Sequence, residues 1–125
     1  MKIAVTSQNR KTITEHAGRC RKFWVFSIEN GNIIDKVLLQ LPKEQSFHDS
    51  SPHQAHPLDE VDVLIAGDMG HGLIARLERK GIKALITKEK DPEKVVLSYL
   101  DGSLATERPR QGDEKKKKER KNDRL

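Results

Sequence analysis

Val61-Asp62-Val63-Leu64-Ile65-Ala66-Gly67-Asp68-Met69-Gly70-His71-Gly72 is the stretch whose reading decides the fold. Its first six residues are apolar apart from Asp62, as expected of a central strand buried on both faces, and they stop at a glycine-rich turn. Leu73, Ile74 and Leu77 then recur at helical spacing, and Lys80-Gly81 supplies a helix stop. The run 82–87 is the next strand, so the chain enters a strand–helix–strand crossover that should be right-handed.

Upstream, residues 2–6 form a short β-branched run that ends at the polar Ser7-Gln8-Asn9-Arg10-Lys11, which predicts a buried first strand followed by a loop. Residues 23–28 are aromatic and β-branched. Asn30-Gly31 after them supplies the two positive-φ residues of a tight hairpin, so 33–41 should return antiparallel as a third strand, parallel again to the first. Residues 42–57 are polar, hold three of the five histidines, and read as a loop with room for one helical turn. Downstream, Asp91-Pro92-Glu93 offers an N-cap, a proline at the first helical position and an acidic first turn. Val95, Val96, Tyr99 and Leu100 follow at helical spacing before Gly102. The sum is an α/β protein, a mixed sheet covered by helices, with no internal repeat.

Composition bounds the function. The chain has 125 residues, 24 Lys+Arg against 19 Asp+Glu, a net charge of +5 and one cysteine. Nine of the basic residues fall in 105–125, which holds only two apolar residues and is expected to be a disordered basic tail. Residues 1–104 are then one near-neutral domain. A nucleic-acid role is disfavoured, because the excess charge sits outside the folded surface and reads as a solubilising tail. A single cysteine excludes a disulfide framework and fits a reducing cytoplasm. Neither a signal peptide nor a membrane span is expected.

The order of elements, with Glu15-His16-Ala17-Gly18-Arg19-Cys20 before the aromatic strand and Gly67-Asp68-Met69-Gly70-His71-Gly72 after the central one, resembles the dinitrogenase iron–molybdenum cofactor biosynthesis family. These are the small NifX/NafY-like and NifB C-terminal-like domains. The resemblance covers residues 1–104, including Lys80-Gly81-Ile82-Lys83 and Leu100-Asp101-Gly102-Ser103-Leu104. Ala17 stands where the family usually has an aromatic. What the resemblance implies is a ribonuclease H-like fold with a five-stranded mixed sheet in the order 3-2-1-4-5, strand 2 antiparallel, flanked by helices. It also implies binding or carriage of a metal–sulfur cluster of molybdenum, iron or copper, received from a donor protein and passed to an acceptor.

In that sheet order the first and fourth strands lead opposite ways, and open α/β sheets bind ligands at the carboxyl ends of the strands there. The loops 7–20 and 67–72 leave those ends, and the third strand delivers 42–57 to the same edge. All five histidines, Cys20 and Met69 fall in these loops. Thiolate, imidazole and thioether are soft ligands, suited to copper and iron–sulfur chemistry rather than to magnesium or calcium. The expected metal ligands are Cys20, His16 and His71, with His48, His53 and His56 as a lesser set. The expected cofactor surface draws on Ser7, Asn9, Arg10, His16, Arg19, Cys20, Gly67, Met69, Gly70, His71 and Gly72, with arginines beside backbone amides to receive an anion.

Each residue also has a plainer reading. Cys20 is equally a small buried hydrophobe, His16 a loop residue bonded to backbone, and Met69 a core residue. The glycine turn lacks the Gly-Lys-Ser/Thr ending of a Walker loop and is out of register for a dinucleotide fingerprint. No acid lies in 2–6 to help clamp two metal ions, and no Ser-His-Asp arrangement is visible, so a non-catalytic carrier is expected rather than an enzyme. The alternative is a regulatory or scaffold protein that takes a small anion or acidic partner and uses its tail on nucleic acid. A weak homodimer through the exposed edge of the third or fifth strand is the expected self-association.

Overall fold

Ile3, Ala4 and Val5 and the run Val63 to Ala66 are all buried, and they lie side by side in the middle of a sheet. The computed structural model describes residues 1–108. Its strands are β1 (Lys2–Thr6), β2 (Lys22–Glu29), β3 (Asn32–Gln40), β4 (Val63–Ala66) and β5 (Lys83–Ile86), in the order β3-β2-β1-β4-β5. β2 pairs antiparallel with β1 and with β3, whereas β4 is parallel to both β1 and β5. Helix α1 (His71–Arg79) joins β4 to β5, and α2 (Pro92–Asp101) follows β5.

Strand alternation sends neighbouring side chains to opposite faces, and the two helices cover one face each. Ala4, Leu64 and Ala66 pack with Phe23, Phe47, Leu58 and Leu77 on the α1 face. Ile3, Val5, Val63 and Ile65 pack with Phe26, Val95 and Val96 on the α2 face. A sheet buried on both sides explains the unbroken apolar runs of β1 and β4.

Local chemistry sets the ends of the elements. Asn30 and Gly31 have φ of 52° and 78°, the pair of positive values that the β2–β3 hairpin needs. Asp91 accepts from the amides of Glu93 and Lys94, Pro92 opens α2, and Gly102 closes it at φ 82°. α1 begins differently: Gly70 stands at its N-cap with no side-chain cap, and its first turn holds no acid.

β4 is shorter than the apolar run 61–66 suggests. Val61 donates its amide to the Leu58 carbonyl in a turn, and Asp62 bonds twice to Lys2, its amide donating to the Lys2 carbonyl and its carboxylate accepting from the Lys2 amide, both at 2.8 Å. Residues 105–108, expected to begin the tail, continue the fold instead. Glu107 donates its amide to the Ile86 carbonyl at 2.8 Å, and the Thr87 hydroxyl donates to the Ala105 carbonyl. The rest of the expected tail lies outside the described residues. The edge of β3 carries the exposed Ile34 and Val37.

Candidate functional site

The β1–β2 loop is a compact structure built from its own polar side chains. The Ser7 hydroxyl donates to the Thr12 carbonyl, and the Thr6 hydroxyl to the Thr14 carbonyl. The Asn9 carboxamide oxygen accepts from the amides of Lys11 and Thr12, the local turn that asparagine favours. Arg10 is left-handed at φ 66°, and its carbonyl accepts from the Trp24 indole. Ser7 and Asn9 thus spend their side chains on the loop itself.

That loop then crosses the carboxyl ends of the central strands. The Thr14 amide donates to the carbonyl of Thr6 at the end of β1, and the Thr14 carbonyl accepts from Gly67 just beyond β4. The expected crevice between β1 and β4 is therefore filled by the chain's own backbone. Ile13 donates to the Lys90 carbonyl, tying the crossing to the segment before α2. His16 and Asp68 form a parallel bridge, and the Ala17 amide donates to the Asp68 carbonyl. A Cβ on Gly67 would lie 2.8 Å from Glu15 Cα, so only glycine permits this approach.

An open cleft of about 420 Å³ lies one strand further over, beyond the ends of β4 and β5. Glu15, Gly67, Asp68, Thr87, the Lys88-Glu89-Lys90 run and Arg108 line it. Of the expected site residues only Gly67 belongs to it. The charged lining was invisible in the sequence, because it assembles from segments far apart in the chain.

The expected ligands divide by burial. Cys20 is 2% exposed, packs in the α1-side core, and donates its thiol to the Lys22 carbonyl at 3.1 Å. Burial pushes its pKa up, which disfavours the thiolate that a metal ligand would need. Met69 is buried in the same core. His16 is exposed ahead of a short 3-10 turn (Ala17–Arg19), and His71 is exposed as the first residue of α1. His53 is exposed with its amide bonded to the Ser51 hydroxyl. Among the described residues no group of three or more His, Cys, Asp or Glu is placed to hold a metal ion.

His56 is a structural residue. Its Nε2 donates to the Gln45 carbonyl at 2.7 Å, its Nδ1 accepts from the Leu58 amide at 3.1 Å, and its ring stacks on Phe47 with centroids 4.8 Å apart. Burial holds its pKa below the usual histidine value, and the Arg76 and Lys80 cations act in the same direction. Arg76, buried on α1, fastens the same loop by donating to the carbonyls of Phe47, Ser50 and Ser51 and to the Ser50 hydroxyl. Sequence reading missed it, since an arginine one residue before Leu77 looks like the solvent side of a helical stripe. The loop delivers His48, whose amide donates to the Gly18 carbonyl at 2.7 Å and whose Nε2 lies 3.0 Å from Arg19 Nη2.

At the start of α1, Gly70 and Gly72 have ordinary backbone angles, and a Cβ on either would meet nothing within 4 Å. Neither turn geometry nor packing within the chain calls for glycine there.

Residues 1–102 match the family model described as dinitrogenase iron-molybdenum cofactor. The chain belongs to this family. An uncharacterized protein of Methanocaldococcus jannaschii is 26% identical over 106 residues, 83% of this chain and 89% of that one. Among solved structures, a candidate dinitrogenase of M. jannaschii superposes with a TM-score of 0.66 at 14% identity, covering 87% of this chain and 96% of the other. The apo form of the orange protein from Desulfovibrio gigas gives 0.63 at 19% identity, covering 86% and 93%. At such identities the two structures establish the fold alone. This member of the dinitrogenase iron-molybdenum cofactor family has no helix, among its described residues, long and apolar enough to cross a membrane.

Proposed function

We propose that this chain binds and carries a metal–sulfur cluster of molybdenum, iron or copper as cargo, between a donor and an acceptor protein, with no turnover of its own. The observation that carries the reading is the start of α1. A helix N-terminus concentrates positive partial charge and unshared amides. Here it has no capping side chain and no acid in its first turn, and it opens with glycines that packing does not require. Such an end is accessible to an anion. His71 belongs to that turn, and the Asp68 bridge brings His16 beside it. The donor chemistry fits an anion held by imidazole, guanidinium and amide groups better than thiolate ligation, because Cys20 is buried in the core with its thiol bonded to the Lys22 carbonyl. The ribonuclease H-like character of the fold and a cytoplasmic location belong to the same reading. Self-pairing would use the β3 edge.

Purification without oxygen, with metal, acid-labile sulfide and the visible spectrum measured per chain, tests the proposal. Bound metal with sulfide, reduced in His16→Ala and His71→Ala, supports it. A colourless chain that also fails to take up cluster on reconstitution rejects it. The burial of Cys20 favours one alternative, a regulatory or scaffold protein in which the same helix end takes a small anion or an acidic partner.

A further inference from the structure

We infer that Arg19 is the side chain that grips the anionic cargo and that His48, held by Asp49, aims it; this rests on the carrier reading above. The assignment follows from proton chemistry. A guanidinium only donates hydrogen bonds, so the His48 Nε2 at 3.0 Å from Arg19 Nη2 must present its lone pair. The ring proton is then on Nδ1, which donates to Asp49 Oδ1 at 3.0 Å. Asp49 is itself anchored, its amide donating to the carbonyl and hydroxyl oxygens of Ser46. The result is an Asp49–His48–Arg19 chain.

Two segments 29 residues apart are joined by this chain, and the His48 amide on the Gly18 carbonyl fixes them to each other beside the arginine. Arg19 and His48 are both exposed. Holding an exposed arginine still costs rotamer freedom. One donor of the guanidinium goes to His48, and the rest are left to meet an oxo- or thiometallate. Ala17, two residues before Arg19, is bonded to Asp68, so the guanidinium is carried on the turn that packs beside the start of α1. His48 changes role in consequence. With Nε2 taken by Arg19 and Nδ1 by Asp49, it is a positioning residue and not a metal ligand.

Titration of the full chain with tetrathiomolybdate, followed in the visible spectrum, tests this. Arg19→Ala should weaken binding, and His48→Ala should weaken it about fivefold, the upper range for exposed polar pairs. His48→Gln, whose amide can accept from Arg19 and donate to Asp49, should restore most of the loss. In the Arg19→Ala background, His48→Ala should have no further effect. Independent, additive losses, or failure of glutamine to rescue, would overturn the relay while leaving the carrier reading intact. A wild-type chain that takes up no tetrathiomolybdate would overturn the carrier reading and this role for Arg19 with it.

Discussion

Gly67 passes Glu15 so closely that a methyl group on the glycine would lie 2.8 Å from Glu15 Cα, a backbone atom that cannot swing aside. The contact sits where the β1–β2 loop crosses β4. Gly67→Ala should therefore destabilise the protein by about 1–3 kcal/mol, the usual cost of overpacking a rigid site. Urea unfolding measures it. A variant as stable as wild type would mean that the crossing can lift away from β4.

Gly72→Ala should do the opposite for stability. A Cβ there meets nothing within 4 Å, and alanine is the better helix former by up to about 1 kcal/mol. The midpoint of thermal unfolding should rise, while cluster or tetrathiomolybdate binding weakens because the added methyl crowds the amides. A gain in stability with unchanged binding would remove the start of α1 from the site.

Cys20 should be chemically silent in the folded chain. Its thiol is buried and bonded to the Lys22 carbonyl, and burial pushes its pKa up, so a thiol-specific disulfide reagent should react at least about a hundredfold slower than in urea. Fast reaction in native buffer would show that the loop opens readily and would return Cys20 to the set of ligands.

Acid should loosen the loop 42–57. The unfolded chain protonates His56 near the ordinary value of 6.5, and the folded chain does so only at lower pH, because burial and the nearby cations resist the charge. Below about that value the unfolded state binds more protons, so this contribution to stability is complete above it and is lost as pH falls toward the folded value. Thermal melts across this range should show a steeper decline for wild type than for His56→Phe, which keeps a ring against Phe47 and cannot titrate. Parallel declines would assign the acid sensitivity to other groups.

Much of the architecture was legible because it rests on short-range chemistry. Asn30-Gly31 selects its hairpin turn, Asp91-Pro92 starts α2 and Gly102 ends it, and the apolar runs mark strands buried on both faces. The site was legible only as a set of loops at one sheet edge. Reading could not see that Thr14 fills the switch point or that His56 is consumed by Gln45, Leu58 and Phe47, and it left Cys20 open between ligand and buried hydrophobe. Each depends on partners distant in sequence, and a polar residue in a loop looks the same whether it faces solvent or fastens two segments. Arg76 is the clearest case: its four acceptors are the carbonyls of Phe47, Ser50 and Ser51 and the Ser50 hydroxyl, none of which a helical pattern reveals.

The crossing at Thr14 also governs where this chain can change length. Ile13, Thr14 and His16 are each in register with a different part of the molecule, Lys90, the ends of β1 and β4, and Asp68. An inserted residue among them would shift every one of these pairings at once. The tip at Gln8 to Lys11 is exposed, and its bonds beyond the loop are two, from the Arg21 amide to the Gln8 side chain and from the Trp24 indole to the Arg10 carbonyl, so extra residues cost less there. Loop-length variation among relatives should therefore collect at that tip and leave the four residues from Ile13 to His16 uninterrupted, a fixed gauge beside one tolerant stretch.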